Sequence, residues 1–304
     1  MQTGVPMIAA LVVACLLMAT ATNARHHPQW SDLNEHYTFD KYVQHFGKPY
    51  DAAADPKEWA RREKIFGAKL LEIVAHNADV SQSWKMGLTR FTDWSGEELR
   101  NYGGYKLKYD DGGVKPVRVH EAVPADFTPP EQLDYRLHEP RVLTAVKSQG
   151  NCADCWAHSA TEEIESFYAL LTGELHVLSQ QQITSCTNMS KCPPAGYGGC
   201  FGGSPHLGVE QVAKFGGLHS NWQYPFTDWG VTGNQNTSKC RLPELAKVIQ
   251  KPFATTTGYV HVPTNDANAT LHALVTKGPL SIGVAAMPWY NYEGGIFSIP
   301  TKAS

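Results

Sequence analysis

Apart from Cys15, every cysteine of the 304-residue chain lies between positions 152 and 240. Residues 25–151 must therefore fold by noncovalent packing alone, whereas the later stretch has Cys152, Cys155, Cys186, Cys192, Cys200 and Cys240 available for cross-links. Whether such bonds persist depends on the compartment. The first 24 residues carry no charged side chain, and Met7 to Met18 is an apolar run followed by small residues, with Ala19-x-Ala21 and Thr22-x-Ala24 as cleavage options. A run of this length falls short of the roughly 20 residues that span a bilayer. Residues 1–24 accordingly read as an export signal rather than an anchor, although no Lys or Arg precedes the run. Cys15 leaves with that signal, and the remaining thiols then meet oxidising conditions. Sequons at Asn188, Asn236 and Asn268 fit glycosylation of an exported chain. The expected destination is the lysosome or vacuole, or the extracellular space.

With 42% hydrophobic and 18% charged residues, the chain is long and apolar enough for a substantial core. A net charge of -3 without any block of like charges provides no footprint for nucleic acid or, once the signal is gone, for a membrane. Phe39, Tyr42, Val43 and Phe46 recur at helical spacing. A longer helix is predicted from Asp55, with Pro56 at its first position, Glu58 at the third, and Trp59, Phe66, Leu70 and Ile73 on one face. Tyr105 to Pro130 changes to Gly, Asp, Lys, Val and Pro and reads as an extended connector. The expected division is a helical region of residues 25–122 and a cysteine-bearing domain of residues 123–304. In the second region, Trp156 to Leu171, a segment capped by Ser179 and one begun by Ser204-Pro205 are helical. Beyond Lys251, TTTGYVHV and LSIGVAA read as strands flanking a helix over Ala269 to Val275. Helices first and strands after imply an α+β domain.

The segment QGNCADCW, Gln149 to Trp156, carries the chemistry. Cys155 begins a helix, where backbone N–H dipoles favour the thiolate that attacks carbonyls. Gln149 lies six residues upstream across a glycine and can bring a carboxamide N–H to the oxyanion that such attack creates. Spacing alone fits a zinc half-site, a redox pair or two structural half-cystines at least as well.

QGNCADCW resembles the QGxCGSCW segment of papain-like cysteine peptidases. The likeness continues through LSQQQITSC (Leu178 to Cys186), GGCFGG (Gly198 to Gly203) and TGYVHVP (Thr257 to Pro263). Upstream, Glu58, Arg62, Phe66, Ile73 and Asn77 match the family's pro-helix pattern ExxxRxxxFxxNxxxIxxxN, with Lys69 replacing its middle asparagine. Gly87, Phe91 and Asp93 match GxNxFxD, with Thr89 in the asparagine position. The cathepsin L-like branch fits best. The resemblance implies a papain-like two-lobe fold, with a helical left lobe and an incomplete β right lobe, preceded by an inhibitory helical propeptide removed near residues 122–128. It also implies Cys155 as nucleophile, Gln149 as oxyanion-hole side chain, and Gly202 and Gly203 as backbone partners of an extended peptide. Cys152 would pair with Cys200 and Cys186 with Cys240, leaving Cys192 over. The implied partners are protein or peptide substrates and the chain's own propeptide; no cofactor or metal is expected, and a monomer is.

Three departures bear on activity. Ala153 and Asp154 replace the usual Gly-Ser, and His158 replaces an aromatic residue. Unless Asp154 points to solvent, its charge should raise the thiol pKa. The family chemistry also needs a histidine and an asparagine, roughly 130 to 150 residues after the cysteine. No histidine follows His272, which reads as a helix-surface residue, and Ser304 closes the chain shortly after GGIF (Gly294 to Phe297). Without an imidazole partner the thiol returns toward a pKa of about 8.5, leaving about one molecule in a thousand as thiolate at pH 5.5. The expectation is a cysteine endopeptidase precursor whose 304 residues do not turn over substrate. The alternative is a catalytically dead homologue that binds peptides or another peptidase.

Overall fold

The computed structural model describes residues 27–104, 116–187, 198–230, 239–247 and 251–298. In chain order the elements are α1 (Phe39–Phe46), α2 (Pro56–Ala78), β1 (Trp84–Met86), α3 (Gly96–Tyr102), β2 (Arg118–Val119), α4 (Cys155–Thr172), α5 (Gln180–Cys186), α6 (Pro205–Phe215), α7 (Leu242–Leu245), β3 (Val260–His261), α8 (Ala267–Thr276) and β4 (Tyr292–Gly295). The chain divides into two compact units, Met1–Leu99 with Ala286–Ser304, and Arg100–Ala285. The class is α+β, with helices carrying most of the packing.

In the first unit, the predicted helical stripes become a core of Phe39, Tyr42, Phe66, Leu70, Ile73, Trp84, Met86 and Leu88. Helix α1 starts at Thr38, whose side chain accepts the Lys41 N–H, and ends at Gly47 in the left-handed region at φ 59°. Helix α2 starts at Asp55, which accepts the Glu58 N–H. The Glu58 carboxylate does not fold back on Asp55, as a full capping box would require. It accepts from Arg61 at 2.6 Å and Arg62 at 2.7 Å, because a charged donor outcompetes a neutral amide. Arg62 is buried and also reaches Glu98 at 2.6 Å and the Asp93 carbonyl at 3.0 Å. Asn77 then acts as a surrogate strand: its Nδ2 donates to the Met86 carbonyl at 2.7 Å and its Oδ1 accepts the Met86 N–H at 2.9 Å. On its other edge β1 pairs antiparallel with β4, Trp84 opposite Gly295 and Met86 opposite Tyr292.

The second unit packs α4 against α6 and α5 around Trp156, Ala160, Ile164, Ile183, Leu207, Val212 and Leu218. A Cβ at Gly208 would sit 2.7 Å from that of Ala160, so glycine is what lets α6 approach α4 closely. Disulfides join Cys152 to Cys200 and Cys186 to Cys240. Buried Gln182 donates to the Gly217 carbonyl at 2.8 Å and accepts the His219 N–H at 2.9 Å instead of closing a capping box on Ser179. The sequence expectation of strands after Lys251 holds only in part. Val260 and His261 pair in parallel with Arg118 and Val119, whereas residues 280–286 form no strand, since the described residues supply no neighbouring ladder for them.

Candidate active site

Cys155 is the first residue of α4 and the free cysteine among the described residues, half-buried at the helix N-terminus. Its CxxC neighbour Cys152 is bonded to Cys200, which removes the redox and zinc half-site readings and ties the loop before α4 to the glycine-rich segment ending at Gly203. Burial pushes the Cys155 thiol up. Backbone N–H groups of Gly104, Trp156 and Cys155 itself oppose that rise, and the negative charge of Asp154 adds to it.

Gly104 lies directly against the Cys155 sulfur. Its carbonyl accepts the Gly203 N–H at 2.8 Å, and a Cβ there would come within 2.2 Å of the Ala153 carbonyl oxygen and 2.9 Å of the Cys155 sulfur. Only a residue without a side chain fits this position. Gly203 is constrained on its other face, where a Cβ would meet the Trp156 ring at 2.7 Å, and Gly202 adopts φ 100°. Gln149 is brought to the same place, with its Nε2 donating to the Cys152 carbonyl at 2.6 Å and to the Tyr102 carbonyl at 3.5 Å. The backbone of Tyr102 to Gly104 thus meets Gln149, Cys155 and Gly203 together. The sequence pattern does not single out Tyr102 or Gly104; the Gly103-Gly104 pair just before the Tyr105 to Pro130 connector is the available signal.

The departures in the motif form a cluster of their own. Asp154 points inward and is fully buried; its Oδ2 accepts from Thr184 at 2.8 Å, and its Oδ1 lies 3.4 Å from Nδ1 of His158. Burial pushes the Asp154 carboxyl up. Burial works against the His158 imidazolium, yet the Asp154 carboxylate more than offsets it, so His158 lies above its ordinary value. Both shifts mean that the pair holds a proton more tightly than either group does in water. The i, i+4 spacing of the two residues was visible in the sequence, but their shared burial was not.

His272 is not the helix-surface residue expected. It is buried, and its Nδ1 lies 2.9 Å from Nε2 of His120, because the inner face of α8 turns toward the end of β2. Asn268 is exposed near the start of α8, where glycosylation has access. Asn188, Asn236, Cys192 and residues 1–24, read above as an export signal, lie outside the described residues. Among the described residues, no helix is long and apolar enough to cross a membrane.

Residues 129–304 match the model of the papain family cysteine proteases, which is more than half of the chain. The chain belongs to the papain family. Residues 39–99 match the cathepsin propeptide inhibitor domain, so this papain-family chain is a precursor with a propeptide domain of that type. It is 31% identical to cysteine proteinase 1 of Zea mays over 87% of the chain and 68% of that protein. It is 28% identical to cathepsin F of Drosophila melanogaster over 93% of the chain and 41% of that protein. The chain thus spans less than half of the Drosophila relative, and 64% of a probable cysteine protease of Arabidopsis thaliana. Among solved structures it resembles a recombinant stem bromelain precursor, with a TM-score of 0.66, 26% identity and coverage of 85% of this chain and 75% of that one. A digestive procathepsin L2 from Tenebrio molitor larval midgut gives a TM-score of 0.66 at 26% identity, covering 86% and 79%.

Proposed function

We propose that this chain is the precursor of a cysteine endopeptidase in which Cys155 attacks the scissile carbonyl and forms an acyl-enzyme. Gln149 and the Cys155 backbone N–H receive the oxyanion, and the backbones of Gly202 and Gly203 hold the peptide extended. The observation that carries this reading is the seat of Gly104, which bonds Gly203 and covers the Cys155 sulfur where a substrate residue would lie. Residues 25–122 act as the inhibitory propeptide and are removed between residues 122 and 128, leaving residues 123–304 as the peptidase domain. Residues 1–24 direct the chain into the secretory pathway, toward a lysosome or vacuole or the outside, with Asn188, Asn236 and Asn268 open to glycosylation.

A second reading, a peptide-binding homologue without turnover, is favoured by the raised thiol pKa and the buried Asp154 beside it. In addition, the rings of His158 and His272 are engaged by Asp154 and His120. We therefore expect the 304 residues alone to react at Cys155 without steady turnover. The test treats the purified chain at pH 4.5 with an active papain-type peptidase, removes that peptidase, and follows labelling by a thiol-directed epoxide alongside peptide hydrolysis. Labelling at Cys155 should accelerate once residues before 122 are gone, and unchanged labelling would sink the nucleophile assignment. Turnover that requires Cys155 and falls about 10²- to 10³-fold in Gln149→Ala would mean that a base exists among the present histidines.

A further inference from the structure

We propose that His120, Glu121 and His272 form a binding site for a zinc-type divalent cation, separate from the Cys155 site. One ligand atom from each of the three residues lies within 4.8 Å of the other two. His120 leaves β2 with its N–H bonded to the His261 carbonyl at 2.8 Å, which fixes its backbone on β3. His272 comes from the inner face of α8, and both rings are buried. Their facing nitrogens, Nε2 of His120 and Nδ1 of His272, are 2.9 Å apart. Two nitrogens on one tetrahedral zinc ion, at about 2.0 to 2.1 Å from the metal, stand about 3.3 Å apart, so the pair opens by about 0.4 Å to admit it.

The donor set is chemically selective. Two imidazoles and one carboxylate suit zinc and its first-row neighbours, whereas calcium and magnesium favour oxygen ligands. The metal requires the lone pair of each facing nitrogen, so the N–H of whichever ring now donates moves to that ring's far nitrogen. Lys277 lies 2.8 Å from one Glu121 oxygen, which leaves the second oxygen for the ion. His120, Glu121 and Lys277 all line a cavity of about 430 Å³, bordered also by Glu163, Phe167 and Leu280, which supplies an entry path and room for a water as the fourth ligand. Because two of the three ligands immediately precede residues 122–128, an ion here would fasten that segment to α8.

The full chain, with free thiols capped by iodoacetamide, is titrated with zinc chloride at pH 7.5 in excess magnesium, reading bound metal by native mass spectrometry and heat by calorimetry. One zinc ion per chain is expected, with affinity falling about tenfold or more in His120→Gln and in Glu121→Gln, since even outer partners of a metal are worth 10- to 100-fold. Circular dichroism of the metal-free variants, matching that of the parent, keeps the comparison fair should His272→Ala fail to fold. Zinc should also slow nicking at residues 122–128 by an added serine protease in the parent and not in the variants. No uptake by the capped parent, or equal uptake by the variants, overturns the proposal.

Discussion

The helical unit around residues 39–99 and the helix-rich part of the second unit around α4, α5 and α6 are built from similar elements, but only the second adds cross-links to its buried polar groups among the described residues. In the first, charges are taken inside. Lys48 lies 2.7 Å from Asp93 with both side chains almost wholly buried, and the Tyr42 hydroxyl donates to the same carboxylate at 3.0 Å. Arg62 sits between Glu58 and Glu98. In the second, Lys147 pairs with buried Glu165 at 2.8 Å and Asp154 lies beside His158, but neutral Gln181, Gln182 and Ser179 are buried with them on backbone and side-chain partners, and covalent cross-links take over part of the task. A buried ion pair adds little when intact but is costly to break, because the orphaned charge stays in a dry site. A disulfide acts chiefly on the unfolded chain. Both units are therefore open to titration, and the disulfides make the second open to reduction as well.

The sharpest way to break this contrast is Lys48→Met, which takes away the cation facing buried Asp93. It should cost the first unit about 3 to 5 kcal/mol. Hydrogen exchange read by segment should show loss of protection over α1 and α2 and none over α4 to α6; equal loss in both would show that the pair does not belong to the first unit alone. Next in size, Cys186→Ser with Cys240→Ser should cost about 2 to 5 kcal/mol, confined to the second unit. Denaturant melts of the double variant, with and without reductant, check that expectation.

The smallest effect is in the pH dependence, where the two units should move in opposite directions. Hydrogen bonds from Arg61, then Arg62, hold the Glu58 carboxyl down to about 2. An acid depressed on folding contributes stability that is present above its unfolded value, about 4.5, and lost as pH falls through its folded value. Glu58 is partly exposed, so screening limits this to at most about 1 kcal/mol. His158 is shifted the other way: its stability is fully present below about 6.5 and lost as pH rises through its higher folded value. Both contributions coexist between about pH 4.5 and 6.5. In His158→Phe, the shape of the fall in second-unit stability above that window should change, because Asp154 is left to titrate without its partner, while the acid limb of the first unit stays unchanged. A variant with the parent's profile at pH 7 to 9 would show that Asp154 and His158 are not coupled.

Much of the first unit could be read in advance because its information is local. The i, i+3, i+4 stripe of α1, the Asp55-Pro56 start of α2 and the spacing of Phe66, Leu70 and Ile73 all lie within one helix, where side chains a few residues apart share a face. The helix start at Cys155 was legible for the same reason. The strands after Lys251 were harder, since a β pattern becomes a strand only with a partner, and partner choice is not encoded within a segment.

The sequence by itself determined the helices, the cysteine-bearing region, the place of Cys155 at a helix start and, through ordered motifs, the papain family. Only the tertiary structure decided what those groups meet. It brought the backbone of Tyr102 to Gly104 onto Gln149 and Cys155, turned Asp154 inward to His158, and set His272 against His120 across 152 positions of chain. Periodicity records which face of an element is apolar. It does not record which distant backbone that face will cover, and the protonation of Cys155, Asp154 and His158 depends on that covering through desolvation and neighbouring charge.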